Sequence, residues 1–369
     1  MAMKFPLTSA ISLQKIVLAR SAMVFFFSFF YLVFSFAAVP VQASALGKTH
    51  EPDVKVKFRY VQDGADYRDL KIPTYEWIPE GYNEPPGGII VFVHGLTLHG
   101  KKYDLAGKAF ASGNYYAVSF DMRGFGRCYV DPDNKFHKKR IDYEGSYQDM
   151  VELVKLARKK YPGVKLILVG ESLGATPCLR LASQRPEDVD GIILSGPAVT
   201  VNPVMLVHPQ SVFAGAWGLV IDPHFNVDLG FFMRKLVSQD TRIVSELEND
   251  PLIRKKMTIL DLLRTDAYVK KNVKFARKLK PEIPLLILQG SKDRCVVPRR
   301  VTKLLGSVSS DDQTLRWMQH LSHLLLETKY INSDTVSAIA SWIDAHEDKY
   351  KKELEDLDKE LVELGAESL

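Results

Sequence analysis

The spacing of apolar and polar residues changes along the chain and predicts where strands give way to helices. Residues 54–60 alternate apolar and polar side chains, which is typical of a half-exposed strand. Residues 70–77 are expected to pair with this strand across a turn at Gly64. Because proline cannot donate a hydrogen bond to a neighbouring strand, Pro73 favours an edge position for residues 70–77.

From residue 89 onward, short apolar runs alternate with longer segments of helical character. The predicted strands are residues 89–93, 115–120, 165–169, 191–194, 284–288 and 314–318. The predicted helices are residues 102–112, 145–161, 173–184, 299–305 and 333–346. Strands that alternate with helices in this way predict an α/β fold, in which a mostly parallel sheet is covered by helices on both faces.

The alternation is interrupted at about residues 198–280, a block of helical character without clear strands. A block inserted between two strands of one sheet is interpreted as a helical lid over the carboxyl edge, where open α/β sheets bind ligands. Its apolar side chains, among them Phe213, Trp217 and Phe225, suit an acyl chain or another apolar group. The alternative is that these side chains only pack the lid onto the sheet.

The two ends of the chain differ in composition from the predicted fold. Residues 1–45 place positive charges before a nearly unbroken apolar stretch and end on an A-x-A motif, which predicts a secretory signal peptide. An uncleaved membrane anchor over residues 21–41 is the alternative. Either one places the folded part, residues 46–347, outside the cytoplasm, periplasmic or secreted. Residues 348–369 predict a charged helix that packs on the surface, with contact to a partner as the alternative.

Charge and cysteine content narrow the function classes. The formal net charge is +5, and Lys4, Lys15 and Arg20 of the leader supply three of these charges. A mature chain near +2 gives no basis for nucleic-acid binding. Three cysteines are too few for a disulfide framework, and no metal-ligand spacing is present, so neither a metal nor a cofactor is expected. The sequence does not predict the oligomeric state.

A glycine-flanked serine joins a predicted strand to a predicted helix. The motif, Gly170-Glu171-Ser172-Leu173-Gly174, has the pattern of a nucleophile elbow, in which the serine hydroxyl stands exposed on a sharp, strained bend. The helix that follows directs its unpaired N–H groups at charge that forms beside the serine. Ser172 is therefore the candidate nucleophile, and the alternative is a glycine-rich packing turn.

A serine nucleophile needs a histidine base that a carboxylate orients, and in such a sheet the order is serine, acid, histidine. Asp293 follows the strand at residues 284–288, and His323 follows the next predicted strand. Both loops leave the carboxyl ends of strands, at the edge that presents the serine. Asp293 and His323 are the candidate acid and base, with Asp266 and His320 as rivals.

The oxyanion that forms during acyl transfer needs hydrogen-bond donors. The residue after the nucleophile supplies one, the N–H of Leu173. The loop after residues 89–93 supplies the other, where Gly95 allows close approach and the N–H of Leu96 is the natural donor. His94 is interpreted as organising this loop rather than acting as a base.

Five motifs together resemble the α/β-hydrolase fold, and more narrowly its monoacylglycerol lipase and lysophospholipase branch, also described as serine aminopeptidase-like hydrolases. The resemblance covers residues 89–346. The motifs are VHGL at 93–96, FDMRGFGR at 120–127, GESLG at 170–174, NDPL at 249–252 and ILQGSKD at 287–293.

The resemblance implies a serine hydrolase that cleaves carboxylic esters of lipids or small acyl compounds. A lipid substrate would bring the protein near a membrane. A peptidase or thioesterase on the same fold, and a non-catalytic binding protein, are the alternatives. Glu171 stands where the branch commonly has histidine, and Phe125 and Cys128 also depart from its pattern, so substrate preference is not carried over.

Overall fold

The computed structural model describes residues 58–82, 85–200 and 224–346. The predicted leader at 1–45, the predicted helix at 348–369 and residues 201–223 of the predicted lid lie outside the described residues. Within the described ranges, no helix is long and apolar enough to cross a membrane.

The described strands and helices follow each other in the predicted alternation. The strands are β1 (Phe58–Gln62), β2 (Thr74–Pro79), β3 (Gly88–Val93), β4 (Tyr115–Phe120), β5 (Leu166–Glu171), β6 (Gly191–Ser195), β7 (Asn226–Asp228), β8 (Lys256–Thr258), β9 (Leu285–Gly290) and β10 (Gln313–Met318). The helices are α1 (Asp104–Ser112), α2 (Gly126–Val130), α3 (Tyr143–Lys160), α4 (Ala175–Gln184), α5 (Gly230–Phe232, continued by a π turn at Met233–Val237), α6 (Thr241–Asn249), α7 (Ile259–Val269), α8 (Asn272–Ala276), α9 (Pro298–Leu305) and α10 (333–346).

Eight strands form one sheet in the order β1-β2-β4-β3-β5-β6-β9-β10. From β4 to β10 all neighbours are parallel, whereas β2 pairs antiparallel with β1 and β4. Successive residues of β3 enter two different core clusters, since Val91 packs on one face of the sheet and Phe92 on the other. Burial on both faces explains the unbroken apolar runs of the central strands, and it confirms the predicted α/β fold.

The strand predicted at residues 70–77 is shorter than expected and does not lie at the edge of the sheet. Residues 65–70 form a 3-10 helix, and β2 begins only at Thr74. The prediction of an edge position is wrong, because β2 lies between β1 and β4. Pro73 precedes the strand and contributes only its carbonyl, which accepts a hydrogen bond from the Asp121 amide at 3.0 Å, so its missing N–H removes no bond from the strand.

The predicted insertion, of which residues 198–200 and 224–280 are described, enters the chain between β6 and β9, which are neighbours in the sheet. It contains helices α5 to α8 and a small antiparallel sheet of β7 and β8. The prediction of a block without strands is wrong on this point. Strands of three residues are too short for an alternating pattern to show in the sequence.

Candidate active site

The bend at Ser172 has the backbone geometry expected of an elbow. Ser172 lies between β5 and α4 with a φ of 55°, in the left-handed region that non-glycine residues rarely adopt. A Cβ on Gly170 would lie 2.5 Å from the Gly174 carbonyl oxygen, and one on Gly174 would lie 1.9 Å from that of Val93. Both flanking glycines are therefore required by space.

His323 and Asp293 form a buried hydrogen-bonded pair. The Nδ1 atom of His323 lies 2.8 Å from Oδ2 of Asp293. Burial opposes the charge on Asp293, but His323 and hydrogen bonds to the carboxylate outweigh it and hold the pKa of Asp293 below its ordinary value. Burial also opposes the charge on His323 and by itself would lower its pKa, but the negative charges of Asp293 and Glu171 outweigh burial and raise the pKa.

The rival residues lie away from this pair. His320 is exposed in the turn after β10, where its amide donates to Ser291 Oγ at 2.8 Å. Asp266 lies on α7 and pairs with Lys270. The structure therefore brings Asp293, and not Asp266, to His323.

Ser172 and His323 line a single cavity, together with Leu96 and Leu173 of the predicted oxyanion site. Gly95 packs directly on the elbow, since a Cβ at this position would lie 3.5 Å from Ser172 Cβ. Leu173 is in the first turn after β5, where backbone N–H groups have no intrahelical acceptor. The nucleophile, base and donor candidates thus share one space.

His94 is buried and holds the loop that carries Gly95 and Leu96. The Met122 amide donates to its Nε2 atom at 3.0 Å, so Nδ1 carries the proton and donates to the Gly95 carbonyl at 2.8 Å. Burial lowers the pKa of His94 to about 3, so the ring is neutral at physiological pH. This geometry agrees with a loop-organising side chain.

The walls of the cavity are mainly apolar, and the insertion supplies several of them. Described residues of the insertion that line the cavity are Ala198, Thr200, Phe232, Met233, Val237, Leu247, Thr265 and Val269. Of the predicted substrate-binding residues, Phe213 and Trp217 lie outside the described residues. Phe225 lies before β7 with 40% of its surface exposed, and it is not among the described residues that line the cavity.

Two buried carboxyls beside the site were not predicted as functional. Glu171 accepts hydrogen bonds from Ser195 Oγ and from backbone amides of residues 325–327, and Glu327 accepts one from the Gly95 amide. The sequence indicated that Glu171 is unusual, because the resembled branch commonly has histidine at this position. Glu327 carried no such indication, because its role depends on a contact with a loop 232 residues earlier in the chain.

The parallel sheet, the strained serine after β5 and the His–Asp pair beyond β9 and β10 define the α/β-hydrolase class. Residues 84–329 match the family model described as Serine aminopeptidase, S33, and the chain belongs to this family. It is a carboxylic ester hydrolase.

Similar proteins agree with this assignment. The monoacylglycerol lipase of Mycolicibacterium smegmatis is 25% identical over 277 residues, which cover 73% of this chain and 91% of the relative. The monoglyceride lipase of Mus musculus is 25% identical over 274 residues, covering 72% and 84%. Among solved structures, the fold is shared by a soluble variant of the monoglyceride lipase from Saccharomyces cerevisiae in complex with a substrate analogue. The TM-score is 0.64 at 20% identity, and the match covers 82% of this chain and 99% of that one.

Proposed function

We propose that this protein hydrolyses carboxylic esters of lipids, with monoacylglycerols as the leading substrate class, through a covalent acyl-enzyme. Ser172 is the nucleophile, His323 the general base and Asp293 the carboxylate that orients it. The observation that carries the proposal is that the buried His323–Asp293 pair opens into the cavity that Ser172 lines.

The reaction proceeds in two acyl transfers. The Nδ1–H of His323 donates to Asp293, which leaves Nε2 as the atom that takes the proton from the Ser172 hydroxyl. The serine oxygen attacks the ester carbonyl, and the tetrahedral oxyanion accepts hydrogen bonds from the amides of Leu96 and Leu173. His323 then protonates the leaving alcohol, and water repeats the sequence to release the acid.

Two observations support a lipid ester. The cavity wall contributed by the insertion includes Phe232, Met233 and Leu247, which suit an acyl chain. Relatives at 25% identity include a monoacylglycerol lipase and a monoglyceride lipase. The predicted aromatic residues Phe213 and Trp217 remain candidates for the same wall.

The test compares wild type with Ser172→Ala on 2-monoacylglycerols of graded acyl length, p-nitrophenyl acyl esters, acyl thioesters and amino-acid arylamides. Ser183→Ala, on α4 and outside the cavity, is the matched control. We expect Ser172→Ala to lose ester hydrolysis while it keeps the wild-type melting temperature, and Ser183→Ala to keep both. Turnover of arylamides or thioesters in preference to esters would contradict the proposed substrate class.

A further inference from the structure

Two glutamates lie fully buried beside the candidate site. Glu171 precedes Ser172 at the end of β5, and Glu327 follows His323 by four residues. Burying a carboxyl group is unfavourable unless hydrogen bonds and neighbouring charges compensate for the lost water. The contacts of these two groups therefore indicate what they do.

The Glu171 carboxyl receives only donors apart from its contact with Glu327. Ser195 Oγ donates to it at 2.5 Å, the Leu325 amide at 2.7 Å and the Glu327 amide at 2.8 Å. Burial raises the pKa of Glu171 above its ordinary value, but these hydrogen bonds oppose that shift and favour the ionised carboxylate, which only accepts. Glu171 thus fixes the loop after His323 to the strand that carries Ser172.

The Glu327 carboxyl reaches the third element of the site. The Gly95 amide donates to both of its oxygens at 3.0 Å, and the Glu327 amide donates to Oε2 of Glu171, which brings the two carboxyl groups close to each other. Two ionised carboxylates that are buried close together repel each other, and this repulsion favours one proton and one negative charge on the pair. Because Glu171 has more donors, the proton belongs mainly to Glu327.

We propose that Glu171 and Glu327 form a proton-sharing pair that positions the oxyanion loop, Gly95 and Leu96, against the nucleophile elbow. The pair links the loop after β3, the end of β5 and the loop after β10, which carry the donor, nucleophile and base of the proposed function on which this inference rests. Both glutamates are positioning residues, since they act through Gly95 and His323.

Space and charge around the pair support this arrangement. A Cβ on Gly95 would lie 2.8 Å from Glu327 Oε2, so the loop is seated directly on the carboxyl. The charged and titratable groups that face the pair are Lys102, Tyr103 and His323. Burial, together with the charge of Glu171, raises the pKa of Glu327 well above its ordinary value, and the charge of Glu171 helps raise that of His323.

The first test removes the contact with Gly95 through Glu327→Leu and restores a neutral hydrogen-bonding group through Glu327→Gln. The readout is the rate constant for phosphonylation of Ser172 by a p-nitrophenyl phosphonate, whose tetrahedral oxygen occupies the oxyanion site. We expect Glu327→Leu to lower this rate and kcat by about 10- to 100-fold with little change in KM, since a misplaced oxyanion donor affects the transition state. Glu327→Gln recovers most of the loss.

The matched control is Glu76→Leu, which removes another buried glutamate, on β2, bonded to Tyr116 and Lys160. We expect it to lower the melting temperature but leave phosphonylation unchanged. Equal losses for Glu76→Leu and Glu327→Leu, or no rescue by Glu327→Gln, would overturn the proposal. If Glu327→Leu does not fold, Glu327→Asp, which withdraws the acid from Gly95, replaces it and is expected to show a smaller loss.

A second readout tests the charge. The double variant Glu171→Gln/Glu327→Gln removes the negative charge, so the acidic limb of the kcat/KM profile should move to lower pH, whereas Glu327→Gln alone should leave it in place. An unmoved limb in the double variant would contradict the shared charge. Phosphonylation needs no natural substrate, so an unsuitable ester would overturn only the proposed substrate class, whereas an unreactive Ser172 in wild type would overturn the proposed function.

Discussion

Replacing Asp293 with asparagine turns the group that faces His323 from an acceptor into a donor without changing the size of the side chain. In the wild type, Oδ1 accepts from the amides of Cys295 and Val296 at 2.7 and 2.9 Å. Oδ2 accepts from Gln289 Nε2 at 2.9 Å and from His323 Nδ1 at 2.8 Å. The two backbone donors are fixed, so the oxygen of an asparagine must face them and its NH2 group must face His323.

An NH2 group in this place forces His323 into the other tautomer, in which Nε2 carries the proton. Nε2 then cannot accept the proton of the Ser172 hydroxyl. We expect Asp293→Asn to lower kcat by about 10³- to 10⁴-fold, which corresponds to about 4–5.5 kcal/mol of lost transition-state stabilisation. The assay is steady-state hydrolysis of p-nitrophenyl acyl esters beside thermal melting. The control, Asp149→Asn, breaks the buried contact with Arg123 and should cost stability but not kcat. A folded Asp293→Asn variant within about tenfold of wild-type kcat would contradict the claim that Asp293 holds His323 in the reactive tautomer.

Three further predictions follow from the same geometry and from the chain's first residues. The neighbouring carboxylates raise the pKa of His323 above the ordinary histidine value of 6.5, and only the neutral ring accepts a proton, so kcat/KM should fall as the pH drops through a midpoint above 6.5. A pH profile with a midpoint below 6.5 would contradict this expectation. In thermal melting, Gly174→Ala should destabilise the protein by about 3 kcal/mol or more because its Cβ would overlap the Val93 carbonyl, whereas Gly163→Ala, with open space but a φ of 75°, should destabilise it by about 1 kcal/mol. Equal losses of stability in the two variants would contradict the close packing at Gly174. Secretion of the full chain should yield a mature protein cleaved after Ala45, and a retained leader in its intact mass would favour the membrane anchor.

The central strands could be predicted from the sequence because each carries its own local signal. The segment from residue 115 to residue 120 is a strand with the predicted bounds, and the strand at Ile89 differs by one residue. These strands are buried on both faces, so their composition alone is informative. The edge assignment failed because Pro73 contributes only a carbonyl, and sequence cannot distinguish a proline before a strand from one within it.

The elbow was predictable for a similar reason, since Gly170, Ser172 and Gly174 are adjacent in sequence and the bend requires each of them. The histidine and carboxylate that act with Ser172 were harder to predict. His320 and His323 follow the same strand, and only the path of the loop after β10 carries one of them to Asp293. Glu327 lay beyond prediction, because its contact with Gly95 depends on the parallel alignment of distant strand ends rather than on any local pattern.

The most direct measurement is the site of reaction with a fluorophosphonate probe, found by peptide mass mapping of the purified protein. We expect a single stoichiometric adduct on Ser172, lost in Ser172→Ala and retained in Ser183→Ala. An adduct on another residue, or folded wild-type protein that takes up no probe, would contradict the claim that Ser172, His323 and Asp293 act together.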